Sequence, residues 1–517
     1  MQLDVILRLA FLTTAFTCHV VQSLYFTHML QLNSYRNERF WKWCKENDKR
    51  LISVRTLLPA LCIAALYLPE QWCLGIGAFL FVITALLNIP KKAKKPLVFT
   101  ARVKRLLTTQ YVLFAAIAAG CYFLSVTRLV GIVAALSLAA WGWTFAANSI
   151  NAPLEKAIAN GYVRDAKRRL QAMPDLTVIG VTGSYGKTST KTCLQALLSV
   201  RYNVLMTPES YNTTMGVVRT IRERLQPSHE IFIAEMGAKN CGDIKEICDL
   251  VEPDYGIITS LGEQHLETFK TIDNIVATKF ELADALPANG RLFANGDNEL
   301  INNRLARIAP ACPVTTYGLT TGNVVVTDVQ VSNSGTTFTV TAGEETQTFV
   351  THLLGAHAIQ NLAGCIAVAV SLGIPLSELT YPVRRLKPIE HRLQLLPNGF
   401  IDDAYNSNPA GFRSALDVLS GFDAQRVLVT PGMVELGERG DVLNEELGAY
   451  AADKCDIAIL VGLKQAPPLQ RGLLSAGFNE EHLHVVATLQ EGLALLNTIA
   501  ATNGRIVLLE NDLPDNF

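Results

Sequence analysis

The stretch TVIGVTGSYGKTSTKTCLQALLSV, Thr177 to Val200, constrains this chain more than any other. Val178, Ile179 and Val181 form a β-branched run of strand character, Gly183 and Gly186 interrupt it, and a segment of helical character begins at Lys187. A strand that feeds a helix through a short glycine turn leaves backbone N–H groups pointing inward, beside the positive end of the helix dipole. Such a turn cradles a polyphosphate, with Lys187 as a mobile cation and the Thr188 hydroxyl offered to a magnesium ion. The strict pattern G-x-x-x-x-G-K-[ST] lacks its first glycine, because Val181 stands five residues before Gly186. A plain strand-to-helix turn with a solvated lysine is the alternative.

The turn lies well inside a chain of 517 residues, long enough for several domains. A net charge of −1 argues against a general nucleic-acid binder, so no nucleic-acid partner is expected. Eleven cysteines without C-x-x-C pairs read as small buried hydrophobes in a reducing compartment. Mean hydropathy is +0.24, and the apolar excess lies in the first 150 residues. Five stretches there approach the length of a membrane span: Val5 to Leu30, Leu51 to Leu68, Cys73 to Leu87, Leu107 to Val126 and Leu129 to Ile150. No basic region precedes the first, which disfavours a cleaved signal peptide.

Arg36, Arg39, Lys42, Lys45, Lys49 and Arg50 fill the first connecting loop, and Lys91, Lys92, Lys94, Lys95, Arg102, Lys104 and Arg105 the third. The positive-inside rule puts both loops, and with five spans everything after Ile150, in the cytoplasm. Residues 151–175 read as a basic linker helix that lies along anionic membrane lipid or is simply solvated.

Beyond the glycine turn, apolar runs (NVLMT, EIFIAEMG, YGIITS, GRLFANGD) alternate with amphipathic stretches, the signature of a parallel sheet covered by helices. Ligands gather at the carboxyl ends of such strands, where Glu235 and the Ser260 to His265 segment fall. A carboxylate and an imidazole beside a phosphate loop suit magnesium. The period-two stretch from Asn323 to Val350 reads as a β-hairpin addition. After a turn near Lys387 and Pro388, the runs RVLVTPGM, DIAILVG, LHVVAT and RIVLLEN mark a smaller, Rossmann-like α/β domain.

GVTGSYGKTSTK, AEMGAKNCGDI, TSLGEQHLETF, IVATKFELADALP, NGDNE, GAHAIQNLAG, HRLQL and DDAYNSNPAG occur in an order and spacing that resemble the Mur ligases, from about Asn151 onward. Apolar patterning gives a membrane domain (1–150) and the linker helix (151–175), and the resemblance implies a central P-loop ATPase domain with a parallel sheet (176–387) and a C-terminal domain (388–517). It implies an ATP-dependent ligase that phosphorylates an acceptor carboxylate and lets an amine displace the phosphate. By motif, Thr182, Gly183, Ser184, Tyr185, Gly186, Lys187, Thr188 and Ser189 would wrap the ATP phosphates. Thr188 and Glu235 would hold one magnesium ion, and His265 would help bind a second. Lys279 matches a lysine that is carbamylated to become an oxygen ligand for metal. Asn295 and Asn361 match adenine-side positions, Arg392 an arginine near the phosphates, and Asp403 a ribose-side carboxylate.

The implied acceptor is a peptidoglycan precursor, UDP- or lipid-linked, and the implied amine an amino acid or dipeptide. The family's UDP-binding domain is replaced here by apolar stretches, so a polyprenyl-linked acceptor or a partner protein carrying the UDP site is expected. The implied location is the bacterial inner (cytoplasmic) membrane, multi-pass, with the catalytic domains cytoplasmic. A membrane poly-γ-glutamate synthase and a nucleotide-binding scaffold that does not ligate are the alternative readings.

Overall fold

Strand β1 (Thr177–Thr182) sits near the middle of its sheet because it is apolar on both faces. Ile179 and Val181 pack with Leu194, Leu197, Leu362 and Ile366 on one side. Val178 packs with Val217, Ile221 and Phe280 on the other. A two-sided apolar strand is what a sheet sandwiched between helices demands. The computed structural model describes residues 2–47, 53–89, 96–208, 211–262, 266–332, 335–388, 391–404, 409–433, 439–463, 466–501 and 504–511. They fall into two units, Met1–Gly161 and Tyr162–Phe517.

The first unit is helical: α1 (Gln2–Leu32), α2 (Asn37–Glu46), α3 (Val54–Leu57), α4 (Leu61–Ala65), α5 (Glu70–Leu87), α6 (Ala101–Cys121), α7 (Val126–Leu138) and α8 (Ala140–Gln171), the last crossing the division between units. Its outside is apolar, with Phe79 63% and Phe123 87% exposed. Its inside carries a polar seam, in which Gln110 bridges Thr27 and Thr144 and Arg105 forks onto Glu155 at 2.7 and 2.8 Å.

Five spans were expected. Among the described residues two helices, α1 and α5, are long and apolar enough to cross a membrane, and a third candidate is α7 with α8, bent by 75°. The Leu51 to Leu68 stretch is instead broken into α3, a 3₁₀ turn at Leu58–Ala60 and α4, because Pro59 has no N–H to continue a helix. Helix α6 is long enough but opens with Arg102, Lys104 and Arg105, which dilute its apolar character.

In the second unit nine strands form one sheet in the order β2-β3-β1-β4-β5-β6-β7-β8-β9. Strands β2 (Val204–Met206), β3 (Ile231–Glu235), β4 (Tyr255–Ile258), β5 (Arg291–Asn295) and β6 (Val314–Gly318) run parallel to β1. The sheet is mixed rather than wholly parallel. The Asn323 to Val350 stretch supplies three strands, β7 (Val324–Ser332), β8 (Gly335–Ala342) and β9 (Glu345–Thr351), where a hairpin of two was expected. Strand β7 joins β6 in parallel, so the addition extends the main sheet.

Helices α9 (Lys187–Leu198), α10 (Thr214–Arg224), α11 (Asp243–Val251), α12 (Leu266–Phe269), α13 (Ile272–Ala285), α14 (Glu299–Leu305), α15 (Ala356–Ser371) and α16 (Leu376–Arg384) complete this part. A second sheet, order β10-β11-β15-β12-β13-β14, follows. Only β10 (Gln394–Leu395) is antiparallel among β11 (Phe400–Asp403), β12 (Gln425–Thr430), β13 (Ile457–Val461), β14 (Leu483–Val486) and β15 (Arg505–Glu510).

Candidate active site

Between β1 and α9 the chain turns through Gly183 (φ +151°) and Gly186 (φ +81°). A Cβ at Gly183 would overlap Thr259 Oγ1, and one at Gly186 would come within 2.7 Å of the Asn361 amide. Both positions therefore need glycine. The loop after β4 clamps the turn. Thr259 Oγ1 donates to Tyr185 O at 2.5 Å, Ser184 N donates to Ser260 O at 2.6 Å, and Ser184 Oγ donates to Gly262 O at 3.0 Å. Replacing Gly183 with alanine should destabilise the fold by roughly 1–3 kcal/mol, since strain and overlap combine. A lowered melting temperature checks this, and an unchanged one would show that the clamp yields.

Side chains converge on this turn from three elements. Lys187 Nζ donates to Gly183 O at 2.6 Å and to Ser184 O at 2.9 Å. Burial, and secondarily the Arg392 charge, push its pKa down to about 8, while Glu235 opposes the shift. Glu235 ends β3 beneath the turn, and its carboxylate accepts from Thr188 Oγ1 at 3.1 and 3.2 Å and from Asn212 Nδ2 at 3.0 Å. Lys191, one helical turn after Lys187, pairs with Glu235 at 2.8 Å, and both side chains are 1% exposed. Lys279 is buried on α13, and burial followed by the Lys187 charge pushes its pKa down to about 7, against Asp243 and Glu281. Among the described residues its amine makes no hydrogen bond.

Not every expected residue presents its side chain to the turn. Thr182 Oγ1 is buried and donates to Met236 O at 2.9 Å, tying β1 to β3, and the Ser184 hydroxyl is engaged with Gly262. Those two offer backbone only. Ser189 lies half-buried in the first turn of α9. Asn295 is buried at the end of β5, where its Oδ1 accepts from Asp297 N at 3.0 Å.

Arg392 lies between left-handed His391 and Leu393 and is felt electrostatically by both Lys187 and Asp403. Asp403 accepts from Leu393 N at 3.1 Å, and burial raises its pKa against its hydrogen bond with Glu510. His265 and residues 405–408 of DDAYNSNP lie outside the described residues. Sequence reasoning missed Lys191, Asn212 and Thr259. The S-Y-N-T-T run containing Asn212, next to a strand end, was the available signal for one of them.

The donor set suits a magnesium–nucleotide complex. Thr188 Oγ1 and the Glu235 carboxylate are hard oxygen donors 3.1 Å apart, beside a backbone cradle for phosphate.

Residues 181–369 match the Mur ligase middle domain, and residues 391–510 match the Mur ligase, glutamate ligase domain. The chain belongs to the Mur ligase family. It is 32% identical over 305 residues to the UDP-N-acetylmuramoyl-tripeptide–D-alanyl-D-alanine ligase of Bacillus subtilis, covering 57% of this chain and 65% of that one. The chain thus spans just under two thirds of that relative's length. A crystal structure of MurF from Acinetobacter baumannii superposes with a TM-score of 0.60 at 25% identity, covering 68% of this chain and 76% of the other. MurF from Thermotoga maritima in complex with ADP gives 0.59 at 25%, covering 68% and 80%.

Proposed function

We propose that this chain is an ATP-dependent amide ligase that joins an amino acid or D-alanyl-D-alanine to a peptidoglycan precursor at the inner face of the bacterial cytoplasmic membrane. The observation that carries the reading is the convergence of Lys187, Thr188 and Glu235 on a glycine turn at the carboxyl ends of parallel strands. The turn serves as a P-loop, in which the Gly183 to Gly186 backbone amides orient the β- and γ-phosphates and Lys187 follows the transferring phosphoryl group. Thr188 and Glu235 would hold magnesium, which when bound neutralises the charge that develops on the phosphates. Arg392 stands where it can approach phosphate from the C-terminal sheet, whose parallel strands are of Rossmann-like kind.

The acceptor carboxylate oxygen takes the γ-phosphoryl group and ADP leaves. The amine then attacks the acyl carbon, loses a proton, and expels inorganic phosphate as the amide forms. His265 would complete a second metal site with a Lys279 carbamate. Asn295 and Asn361 would face adenine, and Asp403 ribose.

The apolar exterior of the helical unit and its flanking lysines and arginines support a membrane location, with the second unit in the cytoplasm. In sequence the helical unit precedes the matched domains, in the position the family resemblance gives to a UDP-binding domain, which favours a polyprenyl-linked acceptor or a partner protein with a UDP site.

Detergent-purified protein with ATP, magnesium and D-alanyl-D-alanine is offered UDP-N-acetylmuramoyl-tripeptide or its polyprenyl-linked counterpart. Mass spectrometry should show the dipeptide added to one of them. Phosphate release with neither acceptor modified would remove the cell-wall assignment and turn attention to glutamate and other amines.

A further inference from the structure

Glu235 is an unusual place to bring a divalent cation, because a buried ammonium already sits on it. Lys191 Nζ lies 2.8 Å from Glu235 Oε2, both side chains are 1% exposed, and Asn212 and Thr188 donate to the same carboxylate. The pair is neutral as a unit. Lys187, which feels the charges of both Glu235 and Arg392, lies beside it, and Lys279 feels Lys187 in turn. Among the described residues no group of three or more His, Cys, Asp or Glu could hold a metal ion. A free divalent cation entering here meets like charge at short range in a poorly screened interior. A polyphosphate meets the reverse, namely cations and backbone amides.

We propose that Lys191 makes metal entry conditional on the nucleotide: by neutralising Glu235 it denies the site to a free divalent cation, which enters only with the phosphate charge. The inference rests on the nucleotide reading above. Its physical core is that Lys191 acts through Glu235 and touches neither phosphate nor acceptor, so it is a positioning residue. Its place on α9, four residues after Lys187, puts both ammonium groups on one helix face, with Lys187 turned into the glycine turn and Lys191 turned onto the strand below. Nucleotide phosphates that draw magnesium to Thr188 and Glu235 must loosen the Lys191 contact. In the absence of phosphate that contact holds the carboxylate in one orientation.

The test reads metal binding rather than turnover. Full-length protein in detergent and bicarbonate-depleted buffer, which keeps Lys279 an amine, is titrated with manganese(II). The free ion is followed by electron paramagnetic resonance, with and without ADP. Wild-type protein should take up manganese at this site only with ADP. Lys191→Gln, which keeps a hydrogen-bond donor without the charge, should bind manganese alone at least about tenfold more tightly than wild type. Lys191→Arg should behave as wild type, and adding Glu235→Gln to Lys191→Gln should abolish the gained binding. Circular dichroism identifies the folded variants, and Lys191→Met serves if the glutamine variant does not fold. Equal affinity of wild type and Lys191→Gln for free manganese would overturn the proposal while leaving the nucleotide reading intact. Failure of wild type to bind manganese with ADP would remove both.

Discussion

Lys187→Met should reduce ATP-dependent ligation by about a thousandfold, the scale on which a positioned cation contributes to phosphoryl transfer. Its ammonium is held at the mouth of the turn by Gly183 O and Ser184 O at 2.6 and 2.9 Å, and it is the one side-chain cation among the described residues bonded to the turn itself. Methionine keeps the stem and removes the charge, so melting temperature should change little while kcat collapses. Lys187→Arg should not rescue, because a planar guanidinium does not fit a cradle shaped for a compact ammonium.

A pH dependence follows from the same group. Its pKa in the folded protein is about 8, against 10.5 ordinarily, so above about pH 8 the free protein presents a neutral amine. Phosphate binding favours the protonated form, so it must then take up a proton, and ADP affinity should fall as pH rises from about 8. Calorimetric titration of ADP at several pH values reads this directly. An affinity flat across that range would show that Lys187 does not meet the phosphates.

The glycine turn was legible because its message is local: a two-sided apolar strand, glycines at positive φ, and a helix that starts on a lysine. Glu235 was legible from its place at a strand end. Lys191 was not, since a lysine in a polar helix reads as solvated, and only the packing of α9 over β3 buries it against Glu235. Thr259 is hidden in the same way, because its bond to Tyr185 O depends on how two loops meet. The β7 to β9 addition was recognised as strand but undercounted, since alternation reports a face and not the number of turns. Among the described residues fewer helices are long and apolar enough to cross a membrane than the five stretches expected from composition. Leu51 to Leu68 is apolar enough, yet Pro59 decides its backbone.

Lys279→Ala should also abolish ligation, and millimolar formate or acetate should restore a measurable part of it. The lysine is 2% exposed, and its pKa is pushed down to about 7 by burial and then by Lys187. Around neutral pH much of it is therefore the free amine, which on the proposed reading would attack carbon dioxide: an N–C bond would form, a proton would leave to water, and the neutral amine would become an anionic, carboxylate-like oxygen donor. The Lys187 charge penalises the Lys279 ammonium and would favour an anionic carbamate in its place.

Stability gives an independent reading. Between about pH 7 and 10.5 the unfolded chain holds the lysine proton and the folded protein does not. The unfolded state then binds more protons, and stability rises with pH through that window. In Lys279→Met this rise should flatten, and the melting temperature near pH 7 should be no lower than that of wild type, because an apolar side chain meets no desolvation cost there. Loss of ligation with undiminished stability, and rescue by small carboxylates, would mark Lys279 as a residue held in place for chemistry at a cost to the fold. Full activity of Lys279→Ala without rescue would remove the carbamate from the mechanism and leave the amine's low pKa without a catalytic use.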